Sequence, residues 1–145
     1  MNIKLFFFSA TGNTARMAKS IKDEFERLGA KVELHDITPF SSRNKTTDVE
    51  SCDAVVFGAP IYSWRAPREV REWMKTLAGC GKKCSMFFTY GGFGVHPTHY
   101  STRKILEERG FIVVSSAEFL APHTFNLGGW RAMTQRPDEG DFGVA

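Results

Sequence analysis

The chain has 145 residues, with 19 Lys+Arg against 16 Asp+Glu for a net charge of +3, and is 42% hydrophobic and 24% charged. That composition describes one globular domain and excludes intrinsic disorder, while the charge is too weak and too dispersed to announce nucleic acid. No apolar run reaches the roughly 18 residues of a membrane span.

In chain order, strand and helix alternate. Residues 3–8 are a nearly continuous apolar run, as a strand buried on both faces reads, bounded by Ser9, Ala10, Thr11 and Gly12. Residues 14–28 carry Met17, Ala18, Ile21, Phe25 and Leu28 at helical spacing, with Gly29 at the stop. Residues 32–34 predict a short second strand. The polar stretch 38–53 holds Thr47, Asp48, Val49 and Glu50, whose pattern predicts a capping box and a short helix. Residues 54–57 are a third strand ending in Gly58, Ala59 and Pro60. Pro67 then suits the first turn of a helix with Val70, Trp73, Met74 and Leu77 inward. Residues 85–88 make a fourth strand, followed by Tyr90, Gly91, Gly92, Phe93 and Gly94. A helix is predicted over 98–109 and a fifth strand over 111–115.

Five strands separated by helices imply an α/β fold, a doubly wound five-stranded parallel sheet with helices on both faces. The whole of 1–145 reads as one domain, with 121–145 an irregular C-terminal segment that looks truncated. In such sheets ligands bind beyond the carboxyl ends of the strands. Three loops lie there, at residues 9–14, 60–67 and 89–96. The first offers hydroxyls, a glycine and amides at a helix start but no Lys or Arg, which suits one terminal phosphate held by neutral donors. It lacks the Gly-Lys-Ser/Thr ending of a Walker loop. A capped helix start explains the same residues equally well. The other two loops carry Tyr62, Trp64, Tyr90 and Phe93. Aromatics at loop ends, beside a phosphate loop, describe a site for a phosphorylated planar heterocycle, and glycines 91, 92 and 94 would admit backbone amides close to its ring.

Phe8-Ser9-Ala10-Thr11-Gly12-Asn13-Thr14 resembles the phosphate loop of flavodoxins, and Phe57-Gly58-Ala59-Pro60-Ile61-Tyr62 resembles their second flavin loop. The order of elements follows that family to about Phe119, most closely the flavodoxin-like domains fused to ferredoxin domains in some anaerobes. The resemblance implies a flavodoxin-like fold that binds FMN as cofactor. Ser9, Ala10, Thr11, Gly12, Asn13 and Thr14 would hold the phosphate. Pro60, Ile61, Tyr62, Ser63 and Trp64, with Thr89, Tyr90, Gly91, Gly92, Phe93 and Gly94, would enclose the isoalloxazine, and Tyr62, Trp64, Tyr90 or Phe93 would stack on it.

Other uses of this architecture do not match. Acidic residues of a phosphoacceptor are missing after strands one and three, and no nucleophilic cysteine stands in the first loop. Cys52, Cys80 and Cys84 are too few for a disulfide scaffold, Cys80 and Cys84 have no metal-ligand spacing, and Cys84 reads as core. With no leader before the first strand, a reducing cytoplasm is the expected compartment. His96 and His99 read as solvated loop residues.

Two departures from the family matter. The second loop, Tyr62-Ser63-Trp64-Arg65, has no glycine, which implies that the half-reduced neutral flavin is less favoured than in one-electron flavodoxins, since a non-glycine residue at positive φ costs about 1–2 kcal/mol. The chain is also weakly basic where flavodoxins are acidic, with Arg65, Arg68 and Arg71 beside the expected flavin edge. A solvated helix face interleaved with Glu69 and Glu72 and a docking site for an acidic redox partner, ferredoxin-like or a reductase, both fit. Three functions follow: an electron carrier of the flavodoxin type, an NAD(P)H-dependent FMN or quinone reductase, or a domain that has lost flavin. The intact phosphate loop argues against the last, and the absence of a nicotinamide fingerprint favours the carrier.

Residues 137–139 look like the start of a fifth helix, but Gly140 and Gly143 each cost about 1 kcal/mol there. A helix that short or missing would leave the underside of strands one, four and five bare. A homodimer or a missing covering domain is then expected on that face, with Trp130 and Phe142 near the contact.

Overall fold

A computed structural model of the chain describes residues 1–123 and 133–144. The elements are β1 (Asn2–Phe7), α1 (Asn13–Arg27), β2 (Lys31–Asp36), α2 (Phe40–Arg43), β3 (Ala54–Pro60), α3 (Arg68–Met74), β4 (Lys83–Tyr90), α4 (Thr98–Glu108), β5 (Ile112–Leu120) and α5 (Glu139–Gly143). The five strands form one parallel sheet in the order β2-β1-β3-β4-β5.

Alternation along the inner strands builds two cores. From β1, Ile3, Leu5 and Phe7 pack against Met17, Ala18 and Ile21 of α1. Phe6 joins Phe57, Trp73, Met74, Phe88 and Leu106 under α3 and α4. Both faces are buried, so the run reads apolar without alternation. On β3, Gly58 is required by packing: a Cβ there would lie 2.2 Å from the ring of Phe87. Cys84 is core, as expected, and burial pushes its thiol up to about 12.

Two local expectations need correction. Residues 47–49 are irregular and lead into a turn at 50–51, not a helix. Asp48 Oδ1 accepts from the Glu50 amide at 2.8 Å, and Lys4 Nζ donates to the Asp48 carbonyl at 2.7 Å, so β1 captures the segment. The short helix sits at α2 instead. Second, β5 continues to Leu120; its exposed middle hides it from hydropathy, and a register shift between Cys84 and Ser85 breaks its alternation. On the underside of β4 and β5, Phe87 and Phe119 join the α1-side core. The register that sets Ala117 beside Phe87 and Ser115 beside Ser85 puts small residues there, with the two serine hydroxyls 2.7 Å apart.

The fifth helix is short, as expected. Its N-cap, Asp138, accepts from the Gly140 and Asp141 amides, and the Asp141 side chain reciprocates to the Asp138 amide. Phe142 packs against the α1-side core and lies under the Arg16 guanidinium, 5.6 Å from ring centre. Trp130 lies outside the described residues.

Candidate functional site

The carboxyl ends of β1, β3 and β4 open into a cavity of about 380 Å³, within the range of small-molecule sites. Its floor is the start of α1. Gly12 is the N-cap at φ 88° with nothing within 4 Å of where a Cβ would stand, so the steric demand is on the backbone alone. Among the described residues, the amides of residues 10–14 meet no backbone acceptor, and the N-cap Gly12 has no side chain to cap them. No acidic residue occupies its first turn. Free amides at the positive end of a 15-residue helix, without a carboxylate to compete, are a cradle for an anion.

Two hydroxyls tie this loop down. Ser9 Oγ accepts from the Ala15 amide at 3.0 Å, and the Ser9 amide donates to Thr38 Oγ1 at 2.8 Å. Ser9 therefore braces the loop from behind and does not line the cavity. Thr14 and Thr89 share a buried hydroxyl contact of 2.8 Å that joins the head of α1 to the end of β4.

The second loop is a two-residue turn. Tyr62 and Arg65 exchange backbone hydrogen bonds, Tyr62 N to Arg65 O at 2.8 Å and the reverse at 3.2 Å, while Ser63 and Trp64 hold φ of 49° and 60°. Positive φ at both central positions is the demand of a type I′ turn, ordinarily met by Asn-Gly. Here two L side chains accept it. Tyr62 lines the cavity, and burial, with Glu69 nearby, pushes its phenol up. Trp64 does not line it and is 57% exposed.

Of the expected residues, the structure brings together Ala10, Thr11, Asn13, Thr14, Pro60, Ile61, Tyr62, Ser63, Thr89, Tyr90 and Gly91 around the cavity. Ser9, Gly12, Trp64, Gly92, Phe93 and Gly94 do not line it. Sequence reasoning missed Ala121, Pro122 and His123, which form a further wall after β5. The nearest sequence signal was Gly91: a Cβ there would lie 2.5 Å from the His123 ring. Gly92, at φ 88°, likewise faces Met133. The first two glycines of the third loop thus admit protein side chains. Phe93 stands edge-on to His123 at 5.8 Å between ring centres.

His99 is only partly exposed and is held by neighbours. It sits on α4 with Nδ1 hydrogen-bonded to Ser116 Oγ, Nε2 3.0 Å from Glu118, and its ring edge-on to Phe88. Arg68 also separates from Arg65 and Arg71, lining a different groove with Phe40, Glu69 and Glu72. Among the described residues no three His, Cys, Asp or Glu side chains gather as a metal site, and no helix is long and apolar enough to cross a membrane.

The residues fit a phosphorylated flavin. Unpartnered amides and the Thr11, Asn13 and Thr14 side chains would supply a phosphate cradle, and Tyr62 and Tyr90 line the same cavity. Comparison with known proteins agrees. Residues 4–113 match the family model described as a flavodoxin domain. A putative diflavin flavoprotein of Synechocystis sp. is 23% identical over 94 residues, covering 65% of this chain and 16% of that protein. The chain thus spans about a sixth of the length of that curated relative. Among solved structures, a flavodoxin from the domain Archaea superimposes with a TM-score of 0.71 at 16% identity over 99% of this chain and 90% of that one. Flavodoxin 2 from Bacillus cereus gives 0.71 at 18% identity, over 99% and 91%. Megasphaera elsdenii flavodoxin gives 0.69 at 27%, over 81% and 85%.

Proposed function

The chain belongs to the flavodoxin domain family, whose cofactor is FMN, and from that premise we propose that it is an electron carrier that passes electrons between redox proteins. FMN supplies the chemistry, accepting and releasing electrons one or two at a time. The chain's own residues bind, orient and shield it. The amides of 10–14 and the hydroxyls of Thr11 and Thr14 hold the phosphate without a side-chain cation. Thr89 fixes the Thr14 hydroxyl, and Tyr62 and Tyr90 shield the ring from water. The observation that carries the reading is the cluster of unpartnered amides on the floor of a cavity flanked by two tyrosines. What favours a carrier over a reductase is that the sequence carries no separate nicotinamide fingerprint.

The purified chain with FMN should be yellow at one flavin per chain and should not bleach on anaerobic addition of NADPH or NADH. Rapid bleaching by either nucleotide, without a second protein, contradicts the carrier role.

A further inference from the structure

Beside the cavity, and sharing the turn over residues 62–65 with it, a second concavity of about 590 Å³ runs between α3 and α4. Arg65, Arg71, Lys75, His96, Tyr100 and Lys104 line it, and among the described residues no carboxylate does. The cations differ in their ties. Arg65 has no ion pair among the described residues; Arg71 is pinned by its Nε donating to the Ala66 carbonyl at 3.0 Å. Lys75 pairs with Glu72 at 2.9 Å and Lys104 stands 4.0 Å from Glu108, both exposed pairs of little strength that a partner carboxylate would replace cheaply. The turn and α4 also present two exposed aromatics, Trp64 at 57% and Tyr100 at 69% exposure. Exposed rigid aromatics ringed by charge are the anatomy of a protein interface.

The groove is poorly made for a small phosphate. Pro97, at the head of α4, has no amide, and the Thr98 amide is already bonded to the Val95 carbonyl at 2.8 Å. What remains is side-chain cations carried separately by the turn, α3 and α4. That pattern meets carboxylates spread over a protein surface.

We propose that the α3/α4 groove is the docking face for an acidic electron-transfer protein, with Arg65, Arg71, Lys75 and Lys104 as its charge contacts and Trp64 and Tyr100 as its apolar anchors. The proposal rests on the FMN reading, because the face adjoins the flavin cavity through Tyr62 and Ser63. Complementary charge beside the electron-exchanging edge raises encounter rates and orients the pair.

The test uses the full FMN-loaded chain, labelled for amide NMR, titrated with an oxidised acidic plant-type ferredoxin at low salt. The expected result is perturbation of the Trp64, Lys75, Tyr100 and Lys104 amides, with affinity falling at least tenfold in Lys75→Glu/Lys104→Glu. A Lys19→Glu/Lys31→Glu control carries the same change in net charge away from the groove and should stay within threefold of wild type. Perturbation confined elsewhere, no perturbation, or an equal loss in the control overturns the docking face. So does NADPH perturbing the same four amides at millimolar concentration with the same sensitivity to Lys75→Glu/Lys104→Glu, which would give the groove to a nucleotide. An apoprotein that takes up no FMN but shows the ferredoxin pattern sinks the FMN reading and keeps the docking face.

Discussion

The first and second loops solve one problem in opposite ways. Each must turn the chain sharply at the end of a strand, and each uses left-handed backbone to do it. In the first, the left-handed residue is Gly12, at no steric cost, and the loop's hydrogen bonds run inward from Ser9, leaving the amides of 10–14 free. In the second, Ser63 and Trp64 carry the positive φ without glycine, and the turn uses its own amides to close on itself between Tyr62 and Arg65. The first loop therefore spends its polar backbone on a ligand. The second spends its backbone on shape and presents side chains, Tyr62 inward and Trp64 to solvent.

The largest effect that separates the two loops comes from Asn13→Asp. An acid at the first turn of α1 favours the helix by a few tenths of a kcal/mol, so thermal stability should hold or rise slightly. Facing a phosphate at close range in a partly desolvated site, the same charge is opposed by about 4 kcal/mol at an effective dielectric of 20. FMN affinity, followed by fluorescence titration, should fall at least a hundredfold. Wild-type affinity in this variant would remove the first loop from the site.

Gly12→Val is the next largest. It forces a β-branched residue to φ 88° and should lower unfolding stability by about 1–2 kcal/mol in urea titration. In the second loop the same logic runs in reverse. Ser63→Gly or Trp64→Gly relieves positive φ and should raise stability by about 0.5–1 kcal/mol, net of the entropy that glycine adds to the unfolded chain. A loss in both variants would mean that the side chains, and not the turn, hold this loop.

The alternation of strands and helices and the first loop were legible because each was written in one local signal: apolar runs, helical spacing, and a glycine where the backbone turns left-handed. The second turn was not legible, since Ser63-Trp64 lacks the Asn-Gly that announces a type I′ turn. Residues 47–50 misled because a capping pattern was overruled from a distance by Lys4. His123 and Met133 reach the third loop from beyond β5, and no periodicity in the sequence carries that information; only the need for glycine at 91 and 92 hints at it.

A smaller effect concerns the C-terminal helix that braces α1. The Arg136 guanidinium, hydrogen-bonded to Asp141, holds that carboxyl below its usual range, helped by the Asp138 amide. A depressed folded value contributes stability that is present above the unfolded value, near 3.8, and is lost as pH falls through the lower folded value. Asp141→Asn should therefore cost about 1 kcal/mol at pH 7 and progressively less against wild type below about pH 4, as read by denaturant midpoints. A difference that stays constant through acid pH would show that the helix does not depend on that charge.

The most direct test of the account is stoichiometric titration of the apoprotein with FMN, following flavin fluorescence. Binding in a cavity flanked by Tyr62 and Tyr90 should quench the flavin to a sharp end point at one equivalent, with the end point lost in Asn13→Asp. No saturable quenching, or an end point unchanged in that variant, would contradict it.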